Sequence, residues 1–113
     1  MNNLSPQLQN QVMQFQQLQQ QLQTVSTQKA QMESQKKELE RTLEELEKAK
    51  SDVFRSVGSL LIKVDDKEAL KTEIVDATET LDVRIKALDR QEKGLREKYQ
   101  ALQETINKAM GQQ

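Results

Sequence analysis

The stretch Val53-Phe54-Arg55-Ser56-Val57-Gly58-Ser59-Leu60-Leu61-Ile62-Lys63-Val64 decides the fold. Two runs of β-branched and large apolar residues flank Gly58-Ser59, and Gly followed by Ser at a two-residue break signals a type II′ hairpin. Residues 53–64 therefore read as a short β-hairpin. On both sides of it the hydrophobic period changes from two to seven.

Upstream, counting in sevens from Leu8 gives Leu8, Phe15, Leu22, Lys29, Lys36 and Leu43. A series three residues later gives Gln11, Leu18, Val25, Met32, Leu39 and Leu46. These are a and d positions, and nine of the twelve are apolar, enough to define a coiled-coil seam. Downstream, Ile74, Leu81, Leu88, Leu95, Leu102 and Ala109 form a d series, with Thr78, Ile85, Glu92, Tyr99 and Ile106 at a. Ser5-Pro6 opens the first helix with an N-cap and a proline harmless at the first helical position. Asp65-Asp66 closes the second strand, caps the second helix and sets negative charge near its positive end.

Helices over 5–50 and 67–110 would each run on the order of 65 Å. Matched lengths and a connection of about sixteen residues favour folding back into an antiparallel two-helix coiled coil. A parallel dimer through either helix is the alternative. The fold class is thus mainly α, one domain over 1–113.

An isolated two-stranded hairpin is marginal in water, and this one carries Val53, Val57, Leu60, Leu61, Ile62 and Val64. The chain has no further strands to offer. Its edges and apolar faces are most economically completed by other subunits in a shared sheet or intersubunit β-barrel. A turn folded over the end of the coiled coil is the plainer alternative.

Composition narrows the function. Aromatic residues make up 3% of 113, too few large rings for an ordinary globular core. Without Cys or His there is no thiolate nucleophile, imidazole base or usual zinc site, so neither an enzyme nor a metal or cofactor is expected. The net charge of −1 gives no general attraction to nucleic acid or anionic lipid. No stretch approaches a membrane span, and Met1-Asn2-Asn3-Leu4 does not begin a signal peptide, so the cytoplasm is the expected location.

The charges themselves are segregated. No Asp, Glu, Lys or Arg precedes Lys29 or follows Lys108. In the antiparallel arrangement both termini meet at a Gln-rich tip that carries almost no charge and bears Leu4, Leu8, Val12, Met13 and Phe15 beside Leu102, Ile106 and Met110. Phe15, Leu102 and Ile106 serve the seam by heptad position; Leu4, Val12, Met13 and Met110 do not. An apolar, Met-containing surface without fixed charge suits varied partners. Frayed helix ends with scattered apolar residues are the bland alternative.

Gln11, Lys29, Lys36 and Glu92 interrupt the apolar seam, as residues that set register do. Two neighbouring registers place Lys29 opposite Leu88 or Leu95, and both bring Glu92 within a layer of it. Lys29 then either pairs with Glu92 or snorkels past the seam. Gly94 falls at an outward position, and Glu33–Lys37, Glu44–Lys48 and Glu92–Arg96 have the acid-before-base spacing of helix-surface pairs.

The order of parts, a Gln-rich heptad helix from Ser5-Pro6-Gln7-Leu8, the Val53 to Val64 segment and then Leu81-Asp82-Val83-Arg84-Ile85-Lys86-Ala87-Leu88-Asp89-Arg90-Gln91-Glu92, closely resembles the β subunits of archaeal prefoldin. The Val57 to Lys63 hairpin followed by Arg84 to Glu92 is its most specific element. The resemblance implies a hexamer of two α-type and four β-type subunits, with hairpins joined in a double β-barrel and coiled coils projecting as tentacles. It also implies ATP-independent capture of unfolded polypeptides by the tip residues and their delivery to a group II chaperonin. No Gly-rich nucleotide loop is present. The alternative function is a coiled-coil scaffold or tether for one specific partner helix.

Overall fold

The structure is a computed structural model describing residues 4–111. Met1, Asn2, Asn3, Gln112 and Gln113, the outer ends of the expected tip segments, lie outside the described residues. The chain runs α1 (Pro6–Lys48), β1 (Phe54–Val57), β2 (Leu60–Lys63) and α2 (Lys67–Gly111).

Local chemistry sets each boundary. Leu8 N–H donates to Ser5 Oγ at 3.1 Å, so Ser5 caps α1 and Pro6 takes its first turn. Ala69 N–H donates to Asp66 Oδ1 at 3.0 Å, capping α2. Gly58 has φ +60°, and no other described residue has positive φ. A type I′ loop needs positive φ at both central residues, so the Gly58-Ser59 loop is type II′. The strands pair antiparallel, with Val57 opposite Leu60 and Phe54 opposite Lys63. Val53 and Val64 fall just outside them, half-buried and joined by a Val64 N–H to Val53 C=O bond of 2.8 Å.

The chain divides into two compact units, Met1–Ala30 with Lys86–Gln113, and Gln31–Ile85. In the first, the early part of α1 packs antiparallel on the late part of α2. Leu8, Val25 and Ile106 are buried there, and the Phe15 and Tyr99 rings stack with centroids 4.5 Å apart. Gln19 Nε2 reaches Tyr99 Oη at 3.4 Å. In the second unit Leu46, Ile74 and Ile85 are buried, and Lys36 Nζ donates to Asp82 Oδ1 at 2.9 Å.

All the expected heptad positions of α1 are buried or half-buried. So are those of α2, with one correction: Ala109 is exposed, because the seam closes at Ile106. Thr78 reconciles a polar group with an a position by donating its hydroxyl to Ile74 C=O at 2.9 Å. Among the described residues no helix is long and apolar enough to cross a membrane.

Candidate functional site

The hairpin of the second unit is the most exposed apolar element. Phe54, Val57, Leu60, Leu61 and Ile62 all stand in solvent, Leu61 at 74%. Strand alternation sorts them by face. The cross-strand pairs Arg55–Ile62 and Val57–Leu60 share one side, while Phe54–Lys63 and Ser56–Leu61 share the other. Val57 and Leu61, both expected to assemble, therefore lie on opposite faces. Arg55 is tied to α2 by two bonds of 3.2 Å from its guanidinium to Glu73, which raise the affinity of Arg55 for its proton and hold Glu73 below the usual carboxylate range.

The edges are equally open. Val57 and Leu60 flank the two-residue loop, and Val53 and Val64 share a hydrogen bond. The intervening residues Phe54, Ser56, Leu61 and Lys63 therefore direct their backbone groups outward, away from the partner strand. Phe54, half of whose surface is open, was not singled out by the alternation of valines and leucines; its place at a strand start, one residue after Val53, was the available signal.

In the first unit the tip residues separate into two groups. Leu8 and Ile106 are buried in the seam, and Leu4, Val12, Phe15 and Leu102 are half-buried. Met13 at 58% and Met110 at 51% are open to solvent. From Leu4 to Gln28 this surface carries no charged side chain. Beside it a groove of roughly 470 Å³ runs between the helices. Its apolar surface comes from half-buried Leu18 and Leu102 with Ala101. Its walls are the amides of Gln14, Gln17 and Gln21 from α1, with Lys98 and Thr105 from α2.

The seam of this unit also holds a polar cluster. Lys29 Nζ lies 2.8 Å from Glu92 Oε1 and 2.9 Å from Asp89 Oδ1, and Ser26 Oγ donates to Glu92 Oε2 at 2.6 Å. The pairing of Lys29 with Asp89, next to Leu88, selects the Leu88 register over the Leu95 one. Glu92 is buried at 9% exposure, yet its bonds from Lys29 and then Ser26 hold its carboxyl below the ordinary range. Glu92, then Asp89, raises the affinity of Lys29 for its proton. Lys29 thus pairs with Glu92 instead of snorkelling clear. Ser26 and Asp89 were not anticipated, although both occupy e positions, which flank a seam. Of the three expected surface pairs, Arg96 approaches Glu92 at 3.9 Å; the other two are not formed within 4 Å.

Antiparallel heptad helices and an exposed, unpaired hairpin define a coiled-coil subunit with strand edges left open, and the comparisons with known proteins give its family. The family described as "Prefoldin subunit" matches residues 9–113, and the chain belongs to that family. It is similar to prefoldin subunit beta of Methanococcus vannielii, 56% identical over 96% of both chains, and to that of Methanosarcina barkeri, 43% identical over 96% of this chain and 93% of the other. Its structure matches the crystal structure of the prefoldin beta subunit from Thermococcus strain KS-1 with a TM-score of 0.84 and 38% identity, covering 96% of each. These are archaeal proteins, and the family's function is of the chaperone type.

Proposed function

We propose that this chain acts as a single prefoldin-like domain in an ATP-independent holdase. It captures non-native polypeptides at the tip formed by Leu4, Leu8, Val12, Met13, Phe15, Leu102, Ile106 and Met110, and passes them to a group II chaperonin in the cytoplasm. Assembly is through Val53, Val57, Leu60, Leu61, Ile62 and Val64, with an α-type subunit and further copies of the chain in an α2β4 hexamer. The hairpin strands join a β-barrel shared between subunits. Nucleic acid and membrane are not partners. The observation that carries the proposal is that the chain has no charged side chain from Leu4 to Gln28, with Met13 on α1 and Met110 near the end of α2 both more than half exposed. Methionine's flexible thioether adapts to differently shaped side chains, and missing charge imposes no complementary pattern. Each tip offers little area, so useful affinity comes from several arms acting at high effective concentration.

Deleting residues 1–15 together with 102–113 is expected to abolish suppression of client aggregation while leaving the oligomer intact in native mass measurements. Undiminished suppression would refute the tip. A single specific partner in place of broad clients would favour a tether.

A further inference from the structure

The groove beside the tip has a chemistry that hydrophobic capture does not use. Gln9, Gln19 and Gln23 spend their amides on Leu4 C=O, Tyr99 Oη and Thr27 Oγ1. Gln14, Gln17 and Gln21, the three on the groove, have no protein partner among the described residues. They recur at steps of three and four, so they form one stripe on α1 about 10 Å long. That is the span of three or four residues of extended chain at about 3.3 Å each.

A primary amide offers donors and an acceptor, as a peptide group does, and can match either polar group of a main chain. Leu18 and Leu102 beneath the stripe supply an apolar surface for alternate side chains. Lys98 is the one charged group on the groove, and it has no ion-pair partner among the described residues.

We infer that this groove binds a short extended peptide segment of a non-native chain through its backbone, with Gln14, Gln17 and Gln21 hydrogen-bonding its peptide groups and Lys98 favouring an acidic residue at one end. The inference rests on the proposed client capture and adds the mode of recognition. Backbone reading is indifferent to sequence, which suits a site that meets many clients. It also requires chain that has not yet formed its own hydrogen bonds, so folded proteins are passed over. The single cation makes acidic flanks the complementary partner; a basic flank would be repelled.

The test uses the full chain in its assembled state and a fluorescent peptide with a leucine-rich centre flanked by Asp, beside a twin whose central amides are N-methylated. The wild-type complex is expected to bind the twin about tenfold more weakly, the loss that follows from two or three exposed hydrogen bonds. Gln14→Met, Gln17→Met and Gln21→Met combined keep helix propensity and size while removing the amides. That variant is expected to bind the unmethylated peptide about tenfold more weakly and to lose discrimination between the twins. The corresponding Gln→Ala variant, which loses the amides without adding apolar surface or charge, is expected to weaken binding as well. Lys98→Met is expected to erase a several-fold preference for Asp over Lys flanks. Equal or tighter binding by the Met variant, with the methylated twin bound as well as its parent, would overturn the inference even while aggregation of whole clients is still suppressed. Loss of that suppression in the wild-type complex would instead bring down the capture function beneath it.

Discussion

The hairpin of the second unit and the Gln-rich end of the first both leave large apolar side chains in water, on surfaces of different kinds. On the hairpin they sit on strands whose edge backbone groups point outward, among Arg55, Lys63 and Asp52, with Lys63 Nζ 3.7 Å from Asp52. Such a surface is directional: a partner must present a strand at the right height and a matching face. Along the tip most of the helical backbone is bonded within α1 and α2, with the end groups of each helix left over, so recognition falls mainly to side chains. The Met and Gln side chains there are flexible and uncharged. Apolar exposure on the hairpin is thus of a kind that suits a fixed partner, and that at the tip, though smaller, of a kind that suits a changing one.

The largest effect expected from breaking this contrast is on the hairpin. Val57→Asp with Ile62→Asp puts two charges on one face and is expected to weaken assembly on the order of a thousandfold, read by native mass measurement. Val57→Asp with Leu61→Asp, one charge on each face, tests whether both faces are covered; an intact oligomer in either case would count against the shared barrel.

Next comes the seam against the surface of the first unit. Ile106→Ala empties a buried position and is expected to cost roughly 2–4 kcal/mol in thermal or denaturant unfolding. Met13→Ser, on exposed helix, is expected to change stability by less than about 0.5 kcal/mol while reducing client capture several-fold. If the two variants behaved alike, the division of the tip into seam and surface would be wrong.

The polar cluster gives a pH dependence whose sign can be stated. Glu92 is held below its usual range when folded, so its contribution is complete above the unfolded carboxylate value of about 4.3 and disappears as pH falls through the lowered folded value. Lys29 is shifted upward, so its contribution is complete below about 10.4 and is lost as pH rises through its raised folded value. Glu92→Gln is accordingly expected to lower the melting temperature near neutrality and to flatten its decline in acid. A wild-type acid slope in that variant would mean that the cluster contributes nothing.

The smallest effect concerns Gly94, where an added Cβ would meet nothing within 4 Å. Gly94→Ala is expected to stabilise α2 by about 0.5–1 kcal/mol, measured by denaturant unfolding, with client capture unchanged.

Much of this molecule is legible in one dimension. Heptad spacing marks the residues that turn inward, from Leu8 through Leu46 and from Ile74 through Ile106. Ser5-Pro6, Gly58-Ser59 and Asp66 mark where helices and strands start and turn. All of these act over a few residues, through backbone sterics, capping bonds and the periods of helix and strand, and so survive in the order of amino acids. The tertiary structure alone decided which Leu layer Lys29 joins and that Ser26 and Asp89 complete its cluster with Glu92. It also decided that Gln14, Gln17 and Gln21 share a groove with Lys98. Register and grouping depend on contacts between residues more than sixty positions apart, such as Ser26 and Glu92. A seven-residue repeat offers several nearly equivalent alignments, and only the summed fit of side chains across the two helices chooses among them.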